Sequence, residues 1–118
     1  MRSAQSETVI QRAILDWLIW HRIFAWREAR IPTPIRRGNQ IVGLRRADPH
    51  TLGIPDILAC VRGRMIGIEV KTKIGKQSLE QIAWQDRIEK AGGLYLLARS
   101  VNDVEDFFKK HNFDELKI

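Results

Sequence analysis

G-I-P-D-I-L-A-C-V-R-G-R-M-I-G-I-E-V-K, from Gly53 to Lys71, carries two apolar runs, Ile57–Val61 and Met65–Val70, on either side of Arg62 and Gly63. β-Branched residues are frequent in both runs, and a glycine-centred break between two such runs is a hairpin signal. If Arg62 and Gly63 form a two-residue loop, Val61 pairs with Arg64, and counting back from that pair sets Asp56 opposite Glu69. Directly opposed residues have Cβ atoms about 5 Å apart, so the two carboxylates share one face of the ribbon. Side chains alternate along a strand; Lys71 therefore joins Glu69, while Ile68 and Val70 turn the other way into a core. Adjacent carboxylates repel one another in an apolar strand pair. A hard divalent cation, which takes oxygen ligands, removes that repulsion.

G-x-P-D, twelve intervening residues and E-x-K, all on one hairpin, resemble the PD-(D/E)xK nuclease superfamily. The nearer resemblance is to its VRR-NUC (virus-type replication-repair nuclease) family. There the two pieces are followed by a polar turn, a helix carrying Q-x-x-W and a glycine-led strand. Here these read Gly75-Lys76-Gln77-Ser78, Gln81-Ile82-Ala83-Trp84 and Ala91-Gly92-Gly93-Leu94-Tyr95. The likeness runs from Gly53 to about Phe108 and takes in one helix before it.

The resemblance implies a metal-dependent DNA endonuclease. Asp56, Glu69 and the backbone carbonyl of Val70 would hold Mg²⁺ or Mn²⁺, and Lys71 would orient the attacking water. Gln81 would point at that water or at the scissile phosphate. A glutamate on the family's first helix, here Glu7, would complete the metal site. Stand-alone, phage-type members resemble Holliday-junction resolvases, which implies branched DNA as the partner in replication, recombination or repair. Two symmetric cuts in a junction favour a two-fold homodimer. A flap or 5′-end nuclease, or one acting on RNA, stays open. From a different class, so does a nucleic-acid-binding or assembly module with a vestigial site.

Length and charge agree with a small nucleic-acid enzyme. The 118 residues make one domain, 1–118, large enough for a core. A hydrophobic share of 44% indicates an ordinary globular chain. The net charge of +6 suits a polyanionic partner. There is no lipidation motif or basic amphipathic helix to suggest a membrane surface. No signal peptide is visible and no apolar run approaches the roughly 20 residues of a membrane span. Cys60 is the single cysteine, which excludes an internal disulfide and reads as an inert buried thiol of a cytoplasmic protein. No small-molecule cofactor is expected.

Around the hairpin, Ser3 to about Arg22 reads as a helix with Ile10, Ile14, Trp17, Leu18 and His21 on one stripe beside Ala13. Ser3 or Ser6 caps it. Glu7 lies at the edge of that stripe, where its acid also suits the helix dipole without any metal. Ile23–Arg27 forms a first strand. Residues 28–52 show no clean period and contain Pro32, Pro34, Gly38, Gly43 and Pro49. They read as an irregular basic arm, with Ile41–Leu44 a short edge strand paired near Ile35. Arginine reaches phosphate bidentately, so Arg36, Arg37, Arg45 and Arg46, with Lys73 and Lys76 beyond the hairpin, are the DNA-binding candidates. The alternative is a solvated loop that happens to be basic. His50 is either a phosphate contact or an incidental loop residue.

Ser78-x-x-Gln81 fits a capping box, opening a helix to about Ala91 with Trp84, Ile88 and Ala91 inward. Gln81 thus has two competing jobs, helix cap and catalytic contact. Leu94–Ala98 reads as a buried strand. Asn102 caps a last helix through about His111, with Val104, Phe107 and Phe108 inward. Neither His21 nor His111 has partners at metal-ligand spacing. This order predicts an α/β fold with a central mixed β-sheet flanked by α-helices; under the resemblance it is a restriction-endonuclease-like core.

Overall fold

In the computed structural model, which describes residues 5–28, 33–45 and 51–113, the first helix begins where Ser6 turns its hydroxyl onto the Val9 N–H. This helix, α1 (Glu7–Trp20), buries Ile10, Ile14 and Leu18 as the spacing predicted, together with Gln11, while Ala13 is exposed. His21 leaves the stripe: its ring stacks on Trp17 with centroids 3.9 Å apart, and it stays exposed. The chain then runs through β1 (Phe24–Arg27), β2 (Thr33–Arg37), β3 (Gln40–Arg45), β4 (Ile57–Val61) and β5 (Arg64–Val70). It ends with α2 (Leu79–Lys90), β6 (Leu94–Ala98) and α3 (Val101–Lys110).

The hairpin register is the one read from the sequence. Arg62 and Gly63 both take positive φ, 51° and 79°, as a type I′ turn requires, and Val61 pairs with Arg64 and Ile57 with Ile68. The main sheet has the order β1-β4-β5-β6. The first two pairings are antiparallel and β5–β6 is parallel, joined through α2. This is a mixed four-stranded sheet flanked by helices.

Strand alternation divides the sheet into two unequal faces. Ile57, Ala59, Val61, Ile66, Ile68, Val70 and Ala98 meet Ile10, Ile14, Leu18, Val104 and Phe108 from α1 and α3, and this is the core. On the opposite face α2 is the one helix among the described residues, and it lies over β5 and β6. Close approach there depends on Gly67, where an added Cβ would come within 2.8 Å of Pro55 and 3.0 Å of Ile88.

Other expectations change. The expected strand at Ile41–Leu44 does pair beside Ile35, but the arm is more regular than expected where it is described: β2 and β3 form a separate two-stranded ribbon, with Ile35 paired to Gly43 and Arg37 to Gln40. Pro34 is tolerated because, among the described residues, no further strand joins the ribbon to receive a hydrogen bond from it. Cys60 is exposed rather than buried, because α2 does not reach β4. Ser100, not Asn102, caps α3, its hydroxyl accepting from the Asp103 N–H. Ala91 is exposed, and β6 is mostly half-buried, with only Ala98 fully covered. Arg46 and His50 lie outside the described residues. Among the described residues no helix is long and apolar enough to cross a membrane.

Candidate active site

Asp56 is delivered by a corner held from two sides. Gly53, at φ 89°, lies so close to α2 that an added Cβ would sit 2.4 Å from the Glu80 carbonyl carbon. Pro55 is fully buried and fills the space left by Gly67. The G-x-P-D piece therefore has a physical rationale: glycine admits the helix, proline plugs the sheet, and aspartate follows into the site. The Asp56 carbonyl accepts from the Glu28 N–H, and its Oδ2 accepts from the Val70 N–H at 2.8 Å. Val70 thus contributes backbone at the site while its side chain lies in the core.

Glu69 is the unusual member. It is only 2% exposed, on a strand otherwise apolar at that depth. Its Oε1 accepts from Gln81 Nε2 at 2.9 Å and lies 3.9 Å from Lys71 Nζ. Its Oε2 is buried and has no hydrogen-bond partner among the described residues. The carboxyl is pushed up to about 8, first by burial and next by the Asp56 carboxylate, with which it can share a proton. Two acceptors meet here without a donor between them. A proton or a cation at that point satisfies the pair, so the residues present suit a divalent ion.

Glu7 is half-buried on the first turn of α1 and near enough to bear on Glu69 electrostatically, as the weakest of the contributors. It does not close the site: among the described residues no three His, Cys, Asp or Glu side chains come together tightly enough to hold a metal. The carboxylates drawn together are those of Asp56 and Glu69, with the Val70 backbone beside them.

Gln81 caps its helix and contacts Glu69 at the same time. Its Oε1 accepts from the Ser78 N–H at 2.8 Å while its Nε2 reaches Glu69. Because an amide has separate donor and acceptor ends, helix capping and site contact do not compete.

Three residues at the site carry no sequence-local signal. Arg99 Nη1 donates to the carbonyls of Thr72 and Gly75, clipping the loop that follows Lys71. Tyr95 Oη accepts from Gln77 Nε2, which also donates to Gln85. Burial first, then Glu69 and Asp56, hold the Tyr95 phenol up at about 12 despite Gln77, so it stays protonated. These contacts join residues far apart in sequence, and only the fold reveals them. Of the basic candidates, Arg36, Arg37 and Arg45 sit exposed on the ribbon with no side-chain hydrogen bond or ion pair among the described residues, and Lys73 and Lys76 are exposed on the loop after Lys71. Compared with known proteins, the chain matches no family model and no curated sequence.

Proposed function

We propose that this protein is a Mg²⁺- or Mn²⁺-dependent nuclease that hydrolyses phosphodiester bonds in branched DNA, and that its sheet is a PD-(D/E)xK core of VRR-NUC type. The observation carrying the proposal is the buried Glu69 Oε2, which has no hydrogen-bond partner among the described residues and lies in a carboxyl pair with Asp56, with Lys71 and Gln81 gathered at the carboxyl's other oxygen. A structural carboxylate buried this deeply normally has both oxygens hydrogen-bonded; among the described residues Glu69 has only Oε1 engaged.

In this reading Asp56, Glu69 and the Val70 carbonyl hold the ion, with Glu7 acting at longer range. The bound ion supplies Lewis acidity toward the phosphoryl oxygen and lowers the pKa of water. Lys71 Nζ donates to the attacking water oxygen and offsets charge that builds on the phosphoryl oxygens. Gln81 Nε2 fixes the Glu69 carboxylate, leaving Oε2 free for the ion. Arg36, Arg37, Arg45 and Arg46 on the arm, with Lys73 and Lys76, hold phosphates, which gives affinity without sequence choice. Paired cuts in a four-way junction would require two copies related by a two-fold axis.

Cleavage mapping on duplex, flap, splayed and four-way DNA, with Mg²⁺ and Mn²⁺, tests the proposal. Metal-dependent cuts that vanish in Asp56→Ala and Glu69→Ala are expected. A folded wild-type protein that binds these DNAs and cuts none of them would return the chain to the non-catalytic alternative.

A further inference from the structure

The face of the sheet that carries the carboxylates is covered only in part. α2 lies over β5 and β6, and among the described residues no helix packs over that face of β1. Phe24 is 70% exposed and Trp26 39%, beside the exposed Cys60 and a Met65 exposed to 38%. The two rings lie next to each other, with centroids 5.2 Å apart. Register sets Phe24, Cys60 and Met65 in one row across the strands, and Trp26, Leu58 and Gly67 in the next. Glu28 and Asp56 continue the β1–β4 ladder, with Glu69 across the hairpin, so the third row is the active site itself. Successive rows are about 7 Å apart, two residues of strand rise. Trp26 is thus one row from Asp56, and its indole N–H is fixed by Glu28 Oε1 at 2.8 Å.

An uncovered apolar strip of this kind marks a binding surface, and its chemistry selects the occupant. Exposed aromatic rings lead it, and exposed arginines flank it: Arg22 before β1 and Arg62 in the β4–β5 turn. Glu28, the acid that follows β1, is engaged by Trp26. Bases stack on aromatic faces while cations hold the backbone between them. A second copy of this chain fits less well, since a two-fold contact here would bring two arginine-flanked strips of like charge together.

We infer that Phe24 and Trp26 form a stacking platform for unpaired nucleotides that lead into the carboxylate site. The substrate class is then nucleic acid with a single-stranded segment adjoining the scissile phosphate. The link to cleavage rests on the nuclease reading; the binding surface does not.

The test is fluorescence anisotropy with the full chain in EDTA, where a metal-dependent nuclease cannot cut. Labelled dT10 and a blunt 10-bp duplex are compared for wild type, Phe24→Ala and Phe24→Trp. Loss of one stacked base should raise the dT10-to-duplex Kd ratio about tenfold in Phe24→Ala, and Phe24→Trp should restore it. A ratio unchanged in Phe24→Ala overturns the platform. So does a ratio unchanged while sedimentation shows dimer turning to monomer, which would make the strip a contact between copies. Phe24-dependent dT10 binding by a wild type that cleaves nothing in Mg²⁺ or Mn²⁺ supports the platform while sinking the nuclease reading.

Discussion

Gln81 donates from Nε2 to Glu69 Oε1 at 2.9 Å while its own Oε1 caps the helix that carries it. Gln81→Ala should therefore cost about 1 kcal/mol from the cap, plus the loss of a donor to a buried carboxyl. Gln81→Glu keeps the capping acceptor but sets another carboxylate against Glu69. It should lose stability in metal-free buffer at pH 8 and recover part of it at pH 5, where protons can be shared. Thermal melts of the two variants at both pH values check this. A Gln81→Glu protein as stable as wild type at pH 8, with wild-type turnover, would reduce Gln81 to a helix cap.

Glu69 sets a pH dependence whose sign follows from its raised value. Between the ordinary 4.5 and about 8, the folded protein keeps a proton that the unfolded chain has lost. Stability conferred by the protonated form is complete below about 4.5 and falls as pH rises toward 8. In EDTA, wild type should lose stability across that window relative to Glu69→Gln. Parallel curves for the two proteins would contradict the assignment. Mn²⁺ favours the ionised carboxylate, so binding at pH 7 should release close to one proton, measured by calorimetry in buffers of different ionisation enthalpy.

Lys71 is only 13% exposed at its side chain and lies 3.9 Å from Glu69. If it orients water, Lys71→Ala should abolish turnover yet leave Mn²⁺ and DNA binding close to wild type. Near-normal turnover would mark it as a strand-end lysine with no part in chemistry.

Arg99 holds the loop after Lys71 by two carbonyls, Thr72 and Gly75. Hydrogen bonds from a charged donor contribute about 1.5–3 kcal/mol, and Arg99→Ala should cost about that. It should also lower kcat in the folded variant, by letting Lys71 drift. Full turnover in that variant, well below its Tm, would make Arg99 a scaffold residue alone.

On the ribbon, Arg36, Arg37 and Arg45 have guanidiniums unengaged among the described residues; Arg46 follows them. Replacing all four should weaken binding to every sequence alike. For every phosphate no longer neutralised, the slope of log affinity against log salt should flatten by about 0.9 on B-form DNA. An unchanged slope would put the DNA on another surface.

What could be read from the sequence was local and periodic. The Arg62-Gly63 turn fixes the opposition of Asp56 and Glu69 because a two-residue loop leaves one register. The α1 stripe follows from helical spacing, and Ser78 and Gln81 from capping geometry. The pairing of Ile41–Leu44 beside Ile35 was legible, but the full extent of the ribbon was not, because proline and arginine mask its alternation. The exposure of Cys60 depends on how far α2 extends over β4, a matter of packing that no strand pattern encodes. Tyr95, Gln77 and Arg99 escaped because their partners lie up to 27 residues away.

The strand register also governs where this chain tolerates a change of length. A single residue inserted between Asp56 and Glu69 would rotate one strand by half its repeat. Glu69 would then point among Ile14, Val104 and Phe108, where a carboxylate has no partner, and Ile68 would take its place beside Asp56. Such an insertion would damage folding before it damaged chemistry. The β2–β3 ribbon, whose strands pack chiefly on each other, can gain or lose residue pairs at its tip without moving either carboxylate. Growth and shortening of this protein should therefore be confined to the ribbon, with the span from Gly53 to Gln81 held at constant length.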